Sequence, residues 1–403
     1  MISVTRLLTD AKHYGDSLRY TATAHRSPDG TSEGRGPVVV WNSTLACNLA
    51  CIHCYMDARP QSRRNELTTA EAKAFIDDLA EFRTPVLLLS GGEPLVRPDF
   101  YELAEYAAYR GIRPTVSTNG TLITREVAQR LKDIGVGYVG ISLDGLEEVN
   151  DRFRRKKGAF AAAMRGIANC VAVGQRVGLR FTINQHNLSQ IGPILDLMET
   201  ANINRICFYH LVYSGRGGAM QDQDVTPAQT REAVDLIIDR TRDFAARGLD
   251  KEVLTVDNHA DGPYIYLRLL REDPERAAKV RGLLETNGGN RSGMAFAAVD
   301  PEGNVHPDQF TQYVTFGNVR ERKFSEIWTD RGHPLQAGLK DRRPLLKGRC
   351  ATCQFIAMCN GNLRTRAEAV HGDFWAPDPA CYLTDEEIAP GSDTKTAAGM
   401  GGD

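Results

Sequence analysis

The sequence predicts an α/β fold: a parallel sheet built from repeated strand–helix units, followed by a smaller α+β unit. Three observations carry the prediction. Short apolar runs alternate with N-capped amphipathic segments from residue 38 to residue 246, polar and glycine residues gather just after those runs, and cysteines cluster at 47–54 and again at 350–381. Repeated β-α units favour a parallel sheet with right-handed crossovers, either open or closed into a barrel.

The chain has 403 residues, more than one ordinary core needs, so a barrel-sized unit with an appendage is expected. Its 42% apolar and 25% charged content are those of a soluble globular protein. A formal net charge of -2 leaves no electrostatic footprint for nucleic acid or an anionic membrane surface. No apolar run approaches the roughly 20 residues of a membrane span. Residues 1–20 mix Arg6, Asp10, Lys12, His13 and Asp16 with their apolar residues and contain no signal-peptide core. A cytoplasmic protein acting on a small molecule is expected, with neither nucleic acid nor membrane as partner. There, nine cysteines read as metal or redox chemistry rather than as disulfides. Cys170 and Cys207 stand alone among apolar neighbours and read as buried small hydrophobes.

In chain order, residues 1–36 form an N-terminal extension, a short helix and then a Gly/Ser/Pro-rich loop. The barrel unit, 37–246, has strand-like runs at 38–41, 86–89, 114–117, 138–142, 179–183 and 205–209. Helix-like segments at 68–82, 99–109, 124–134, 160–173, 188–200 and 226–246 alternate with them, several opened by Thr, Asp or Asn. Between 247 and 387 come a charged stretch at 271–276, a glycine-rich loop at 287–290, a hairpin at 295–306 and the second cysteine group. The tail, 388–403, is rich in Gly, Ser, Thr, Ala and Asp and is expected to be disordered.

Cys47, Cys51 and Cys54 follow the first strand at a three-then-two spacing. Three thiolates can hold three irons of a four-iron cluster and leave the fourth open, whereas a ferredoxin-type site brings a fourth cysteine. A closed zinc site also needs a fourth ligand, for which only His53, on the same short loop, is at hand. Ser90-Gly91-Gly92-Glu93 follows the next strand. Two glycines allow close backbone approach to a ligand, and the Glu93 carboxylate can accept hydrogen bonds from an ammonium group. An amino acid chelating the open iron through its amine and carboxylate would suit both features. A tight turn would explain the glycines but would leave Glu93 without a task. Ser117, Asn119, Ser142, Asp144 and His210 also follow strands, and ligands of parallel α/β folds sit at the carboxyl ends of strands. The second group, Cys350, Cys353, Cys359 and Cys381, supplies four thiolates that suit zinc or a four-iron cluster alike.

Cys47-x3-Cys51-x2-Cys54 followed by Gly91-Gly92-Glu93 resembles the radical S-adenosylmethionine (radical SAM) superfamily, over residues 38–246. The resemblance implies a partial (β/α)6 barrel with SAM on the unique iron of a [4Fe-4S] cluster. It implies Gly91, Gly92 and Glu93 at the methionyl amine, and Ser117, Asn119, Ser142 and Asp144 at the ribose and carboxylate. His53 and Tyr55 would lie near adenine, although packing against the loop explains them equally well. It further implies reductive cleavage of SAM to a 5′-deoxyadenosyl radical, with a reductant such as flavodoxin or ferredoxin. The second group, continued by Asn360-Gly361-Asn362-Leu363-Arg364, resembles the SPASM auxiliary-cluster extension and implies a second, fully ligated [4Fe-4S] cluster. Asp308 and Leu363 stand where a further auxiliary cluster would take cysteines, so one auxiliary cluster is expected, not two.

Residues 208–217, Val40-Trp41-Asn42 and 305–310 resemble the tetrapyrrole-acting group of this superfamily, nearest its heme d1 biosynthesis branch, with the siroheme-dependent heme pathway next. The implied substrate is a didecarboxysiroheme-like iron tetrapyrrole. Hydrogen would be taken from propionate side chains on the way to their removal or oxidation; side-chain decarboxylation or acetate removal is the alternative. His210 is a candidate ligand of the substrate iron or hydrogen-bond donor to the substrate, and Tyr213 is of the same kind. Arg216, with Arg154, Arg155, Lys156 and Lys157, would meet substrate carboxylates, although a run such as 154–157 is more often just a solvated face. A peptide-modifying enzyme would commonly bring a peptide-recognition domain, for which residues 1–36 are too short and polar. An electron-transfer or sensing protein would have no use for Gly91-Gly92-Glu93.

Overall fold

The computed structural model describes residues 1–21, 26–61 and 65–391, so the expected tail lies outside the described residues from 392 onward. Its centre is one eleven-stranded sheet: β1 (Ile2–Ser3), β2 (Val38–Asn42), β3 (Val86–Ser90), β4 (Arg113–Thr118), β5 (Val139–Ser142), β6 (Val177–Ile183), β7 (Arg205–His210), β8 (Glu252–Val256), β9 (Phe296–Val299), β10 (Asn304–His306) and β11 (Gly317–Asn318). Their order across the sheet is β1-β8-β7-β6-β5-β4-β3-β2-β9-β10-β11. From β8 through β2 to β9 all neighbours run parallel. β2 to β7 are each followed by a helix: Thr69–Glu81, Phe100–Tyr109, Arg125–Ile134, Ala159–Val173, Ile191–Thr200 and Pro227–Ala246. This is a partial (β/α)6 barrel, open because its edge strands β1 and β11 lie at opposite ends of the order.

The strands are short continuous apolar runs because helices and chamber cover both faces. The helices start where their sequences signal it. Thr68 with Glu71, and Thr226 with Gln229, form capping boxes, and the Thr124 side chain accepts from the Val127 amide. Trp41 is fully buried and meets Phe75 edge-on at 5.9 Å, beneath the Arg97 guanidinium at 5.2 Å. Arg97 in turn donates to the carbonyls of Ser43 and Leu67, both at 2.7 Å, and so pins the start of the cysteine loop to the core. Cys170 and Cys207 are buried in apolar clusters.

Beyond 246 the sheet continues. β8, five buried residues, extends it past β7, and β1 pairs antiparallel with β8, Ile2 opposite Thr255. The charge on Glu252 hides this strand in the sequence; in the fold Arg19 and Arg205 neutralise it. The hairpin is present as β9 and β10, its turn held by Asp300 Oδ1, which accepts from Glu302 and Asn304 amides at 2.9 Å. β9 also pairs parallel with β2, Trp41 opposite Val299, so the C-terminal part grows directly out of the barrel sheet. The charged stretch at 271–276 is the junction of two helices, Asp261–Glu272 and Pro274–Asn287. Their apolar residues, among them Ile265, Leu269, Val280 and Leu284, are buried, Arg271, Glu272, Asp273 and Glu275 stay outside, and Arg276 turns in to the carbonyls of Leu7 and Arg6. Among the described residues no helix is long and apolar enough to cross a membrane.

Candidate active site

The loop after β2 carries Cys47, Cys51 and Cys54 and is closed by backbone bonds from Cys47 to Arg59 (2.7 Å) and from Arg59 to Leu45 (3.0 Å). The segment after β3 zips onto it: the Gly92 amide donates to the Thr44 carbonyl (2.7 Å) and the Glu93 amide to the Ala46 carbonyl (2.8 Å). Gly91 has φ +123°, and a Cβ there would lie 2.4 Å from the Thr44 oxygen; one on Gly92 would lie 2.2 Å from the Ala46 oxygen. Only glycine lets the two backbones meet. Each sulfur of the loop accepts one N–H: the Leu49 amide at Cys47 (3.4 Å), Arg154 Nη1 at Cys51 (3.4 Å) and the Ala58 amide at Cys54 (3.5 Å).

One cavity joins these thiols to the carboxyl ends of the strands. Of the residues expected from sequence, His53, Tyr55, Gly91, Gly92, Ser117, Asn119, Ser142, His210 and Arg216 line it with the three cysteines. Glu93, Asp144 and Tyr213 do not. Glu93 is fully buried and accepts from Thr118 Oγ1 (2.7 Å), the Asn119 amide (2.8 Å) and the Leu95 amide (3.2 Å). Burial pushes its carboxyl up to about 7, outweighing those donors. Glu93 therefore has a task within the fold, joining the loops after β3 and β4. Asn119 is similarly spent on the cysteine loop, donating to Asn48 Oδ1 at 2.8 Å.

Asp144 is buried in a knot of its own. It accepts from Arg154 Nη2, from the Thr182 amide (2.8 Å) and lies 3.3 Å from His53 Nε2. Burial pushes the His53 imidazole down to about 4, so the ring is neutral at physiological pH. The 154–157 run divides: Arg154 is buried and lines the cavity, whereas Arg155, Lys156 and Lys157 are exposed. Tyr55 donates to Asn42 Oδ1 (3.0 Å), bonds Ser90 Oγ (3.1 Å) and stands edge-on to Phe310 at 5.4 Å.

The three residues expected to act on substrate have local partners. His210 Nε2 meets Asp261 at 2.9 Å, and Asp261 also accepts from Tyr382 at 2.7 Å. Arg216 spends its donors on Cys51 O (2.8 Å), Asp57 (2.9 Å) and Ala58 O (3.0 Å), clamping the cysteine loop. Tyr213 turns its hydroxyl to Asp224 at 2.8 Å. Sequence reasoning missed Arg180, Thr182, Tyr209, Asp257 and Gln309, all on the cavity wall. Arg180 and Thr182 had a signal: they alternate with Leu179, Phe181 and Ile183 on β6, a polar face on an otherwise buried strand.

The second cysteine group lines a separate enclosed cavity. Cys350, Cys353, Cys359 and Cys381 meet there among Phe355, Ile356, Leu383 and Ile388. Burial pushes all four thiols up, Cys381 to about 11, so their ionised forms need a cation's charge close by. Among the described residues no three His, Cys, Asp or Glu side chains converge tightly enough for one metal ion. The four thiols line one cavity, and as a donor set they suit zinc or a four-iron cluster alike. Asp308 is no ligand but a buried turn cap, its Oδ1 accepting from the Phe310 amide, the Thr311 amide and Thr311 Oγ1, each at 2.9 Å. His306 bonds the Val314 carbonyl (2.6 Å), and Leu363 packs with Val212 and Phe310.

Comparison with known proteins agrees with this geometry. Residues 41–198 match the radical SAM superfamily and residues 292–354 the SPASM iron–sulfur cluster-binding domain. The chain is 55% identical to the Fe-coproporphyrin III synthase of Methanosarcina barkeri, covering 96% of this chain and 99% of that protein. It is 42% identical to the pre-heme d1 synthase of Dinoroseobacter shibae, covering 94% of each. In fold it is similar to SuiB of Streptococcus suis bound to S-adenosylmethionine, with a TM-score of 0.69, 17% identity, and coverage of 87% of this chain and 78% of that one. Its cofactors are SAM and [4Fe-4S] clusters, one binding SAM and one auxiliary. The chain belongs to the radical SAM superfamily, in the branch that carries a SPASM domain behind the barrel.

Proposed function

We propose that the enzyme acts on an iron tetrapyrrole carrying several carboxylate side chains, and that it removes acetate side chains from a didecarboxysiroheme-like substrate to give an iron coproporphyrin. The observation that carries this reading is the extent of likeness to the M. barkeri Fe-coproporphyrin III synthase, which spans nearly the whole of both chains and so includes every cavity-lining strand. The heme d1 reading, hydrogen abstraction from propionates, stands second, favoured by the slightly shorter and more distant match to the pre-heme d1 synthase.

In this reading Cys47, Cys51 and Cys54 hold the SAM-binding cluster, and the backbone at Gly91 and Gly92 faces the methionyl amine. Ser117, Asn119 and Ser142 lie toward the ribose and carboxylate, and His53 and Tyr55 toward adenine. Asp144 and Glu93 act from behind, by fixing Arg154 and the β4 loop. Cys350, Cys353, Cys359 and Cys381 hold the auxiliary cluster. When bound, cluster and SAM supply hydrogen-atom abstraction at an unactivated carbon. The protein orients the substrate carbon and keeps water out. Arg180 supplies positive charge for substrate carboxylates on the chamber wall. A low-potential carrier of the flavodoxin or ferredoxin class supplies the electron, in the reducing cytoplasm.

The test is anaerobic incubation of the reconstituted protein with SAM, dithionite and didecarboxysiroheme, followed by mass spectrometry. Loss of acetate groups with 5′-deoxyadenosine formation supports the reading. Products oxidised at propionates would replace it with the heme d1 reading, and absence of 5′-deoxyadenosine would remove the enzymatic assignment of this cavity.

A further inference from the structure

On the chamber wall away from the cysteine loop, four side chains from four different elements end without full partners. Arg180 comes from β6, Tyr209 from β7, Asp257 from the residue after β8, and Gln309 from the turn after β10. Asp257 Oδ2 and Gln309 Oε1 are buried with no hydrogen-bond partner. The Arg180 guanidinium lies over the Tyr209 ring, 4.5 Å from its centroid, and has no carboxylate partner among the described residues. Burial without hydrogen bonds is costly for each such group, about 1–3 kcal/mol and more for a charge. Two such buried atoms, with the Arg180 guanidinium and the Tyr209 hydroxyl facing the same cavity, form a network that lacks one member.

The backbone shows the same investment. Asp257 has φ +67°, a left-handed conformation that few non-glycine residues adopt. It is held there by Arg366, whose Nη2 donates to the Asp257 carbonyl at 2.5 Å. Arg366 is otherwise committed to Asp378 and the Leu211 carbonyl, so it fixes the backbone of Asp257 and leaves its carboxyl group free.

We propose that Arg180, Tyr209, Asp257 and Gln309 form a carboxyl-binding subsite that grips one carboxylic side chain of the substrate. The proposal rests on the tetrapyrrole reading of the chamber and narrows it to one contact. The substrate carboxylate accepts from the Arg180 guanidinium and the Tyr209 hydroxyl and shares a proton with Asp257, while Gln309, with its amide turned to present Nε2 in place of Oε1, donates to the same carboxylate. Burial supports the proton-sharing role, pushing the Asp257 carboxyl up to about 6, with Arg366, the N-terminal amine and Arg180 pulling it down and Asp308 pushing it up. A carboxyl so placed meets a second carboxyl group as a donor, where an ordinary aspartate would repel it.

The test uses the anaerobic holoenzyme and two probes, iron coproporphyrin III and its tetramethyl ester, with binding read from the visible absorption of the tetrapyrrole. The wild type is expected to prefer the free acid by about tenfold or more, the value of one charged hydrogen-bond network. Asp257→Asn is nearly isosteric and tolerates φ +67°, so it removes the shared proton without disturbing the turn. It is expected to cut that preference by about tenfold at pH 6, and Tyr209→Phe by severalfold, with affinity for the ester unchanged in both. Equal binding of acid and ester by the wild type, or undiminished preference in both variants, overturns the subsite while leaving the tetrapyrrole reading in place. Binding of neither probe by the wild type overturns both.

Discussion

Arg366 and Asp378 form a two-pronged ion pair, 3.0 and 2.9 Å, with no solvent exposure on either side chain. Arg366 also holds the carbonyls of Leu211 and Asp257 on the chamber wall. Asp378 holds the Leu363 and Ala380 amides, and its carbonyl takes the Cys381 amide at 3.1 Å. This pair thus joins the loop of the auxiliary cysteines to the end of the barrel, beside the Asp261–Tyr382 and Asn258–Ala380 contacts. Asp378→Asn leaves a buried guanidinium without its counter-charge, which costs about 3–5 kcal/mol. The expected result is a lower Tm together with reduced iron content, because the same carboxylate holds the amide of Ala380, the residue before Cys381. A variant with wild-type Tm and iron would show that the Asp261–Tyr382 and Asn258–Ala380 contacts suffice to hold the cysteine loop on the barrel.

Glu93 gives a pH dependence of definite sign. Its folded carboxyl is raised by burial from 4.5 to about 7, so the folded state binds this proton more tightly than the unfolded chain. The contribution to stability is fully present below the unfolded value and is lost as pH rises through the folded one. Between pH 5 and pH 7.5 the wild type should lose about 2 kcal/mol relative to Glu93→Gln, which has no such proton to release. Denaturant unfolding of the anaerobic protein at the two pH values measures the difference. A gap that stays constant with pH would show that Glu93 is already ionised at pH 5.

Except for the uncapped helix Glu147–Arg154, the strands and helices between 38 and 246 were legible because each carries its own local signals, a short apolar run or a capped amphipathic segment. The cysteine loop and Gly91-Gly92 were legible because their chemistry is local too. β8 was not, since Glu252 reads as a surface charge until Arg19 and Arg205 arrive from sequence-distant elements. Asp257, the residue after β8, was invisible for the same reason, and Gln309, inside the stretch 305–310, had no role until the continuous sheet brought both to the chamber. The sequence also offered Glu93 and Asp144 as ligand contacts, because a carboxylate after a strand looks the same whether it meets a ligand or a neighbouring loop. The difference lies in Thr118, Asn119 and Arg154, whose approach depends on the tertiary fold.

Arg154 is where that difference can be measured. It stands between the Asp144 carboxylate and the Cys51 sulfur, buried, while Lys156 and Lys157 two and three residues on are exposed. A charged donor to a cluster sulfur stabilises the reduced, more negative state. Removing it in Arg154→Gln should move the midpoint potential of the SAM-binding cluster negative by on the order of 60 mV, one tenfold change in a one-electron equilibrium. The same substitution leaves Asp144 with only the Thr182 amide and His53, so SAM cleavage should fall by about tenfold or more as this wall loosens. Redox titration followed by EPR reads the first effect and 5′-deoxyadenosine formation the second. Lys156→Gln and Lys157→Gln remove the same charge from the same stretch but touch neither Asp144 nor Cys51, and should change neither quantity. If all three substitutions shift the potential alike, the run acts as a diffuse positive surface, and the Arg154 contact to Cys51 carries no special weight.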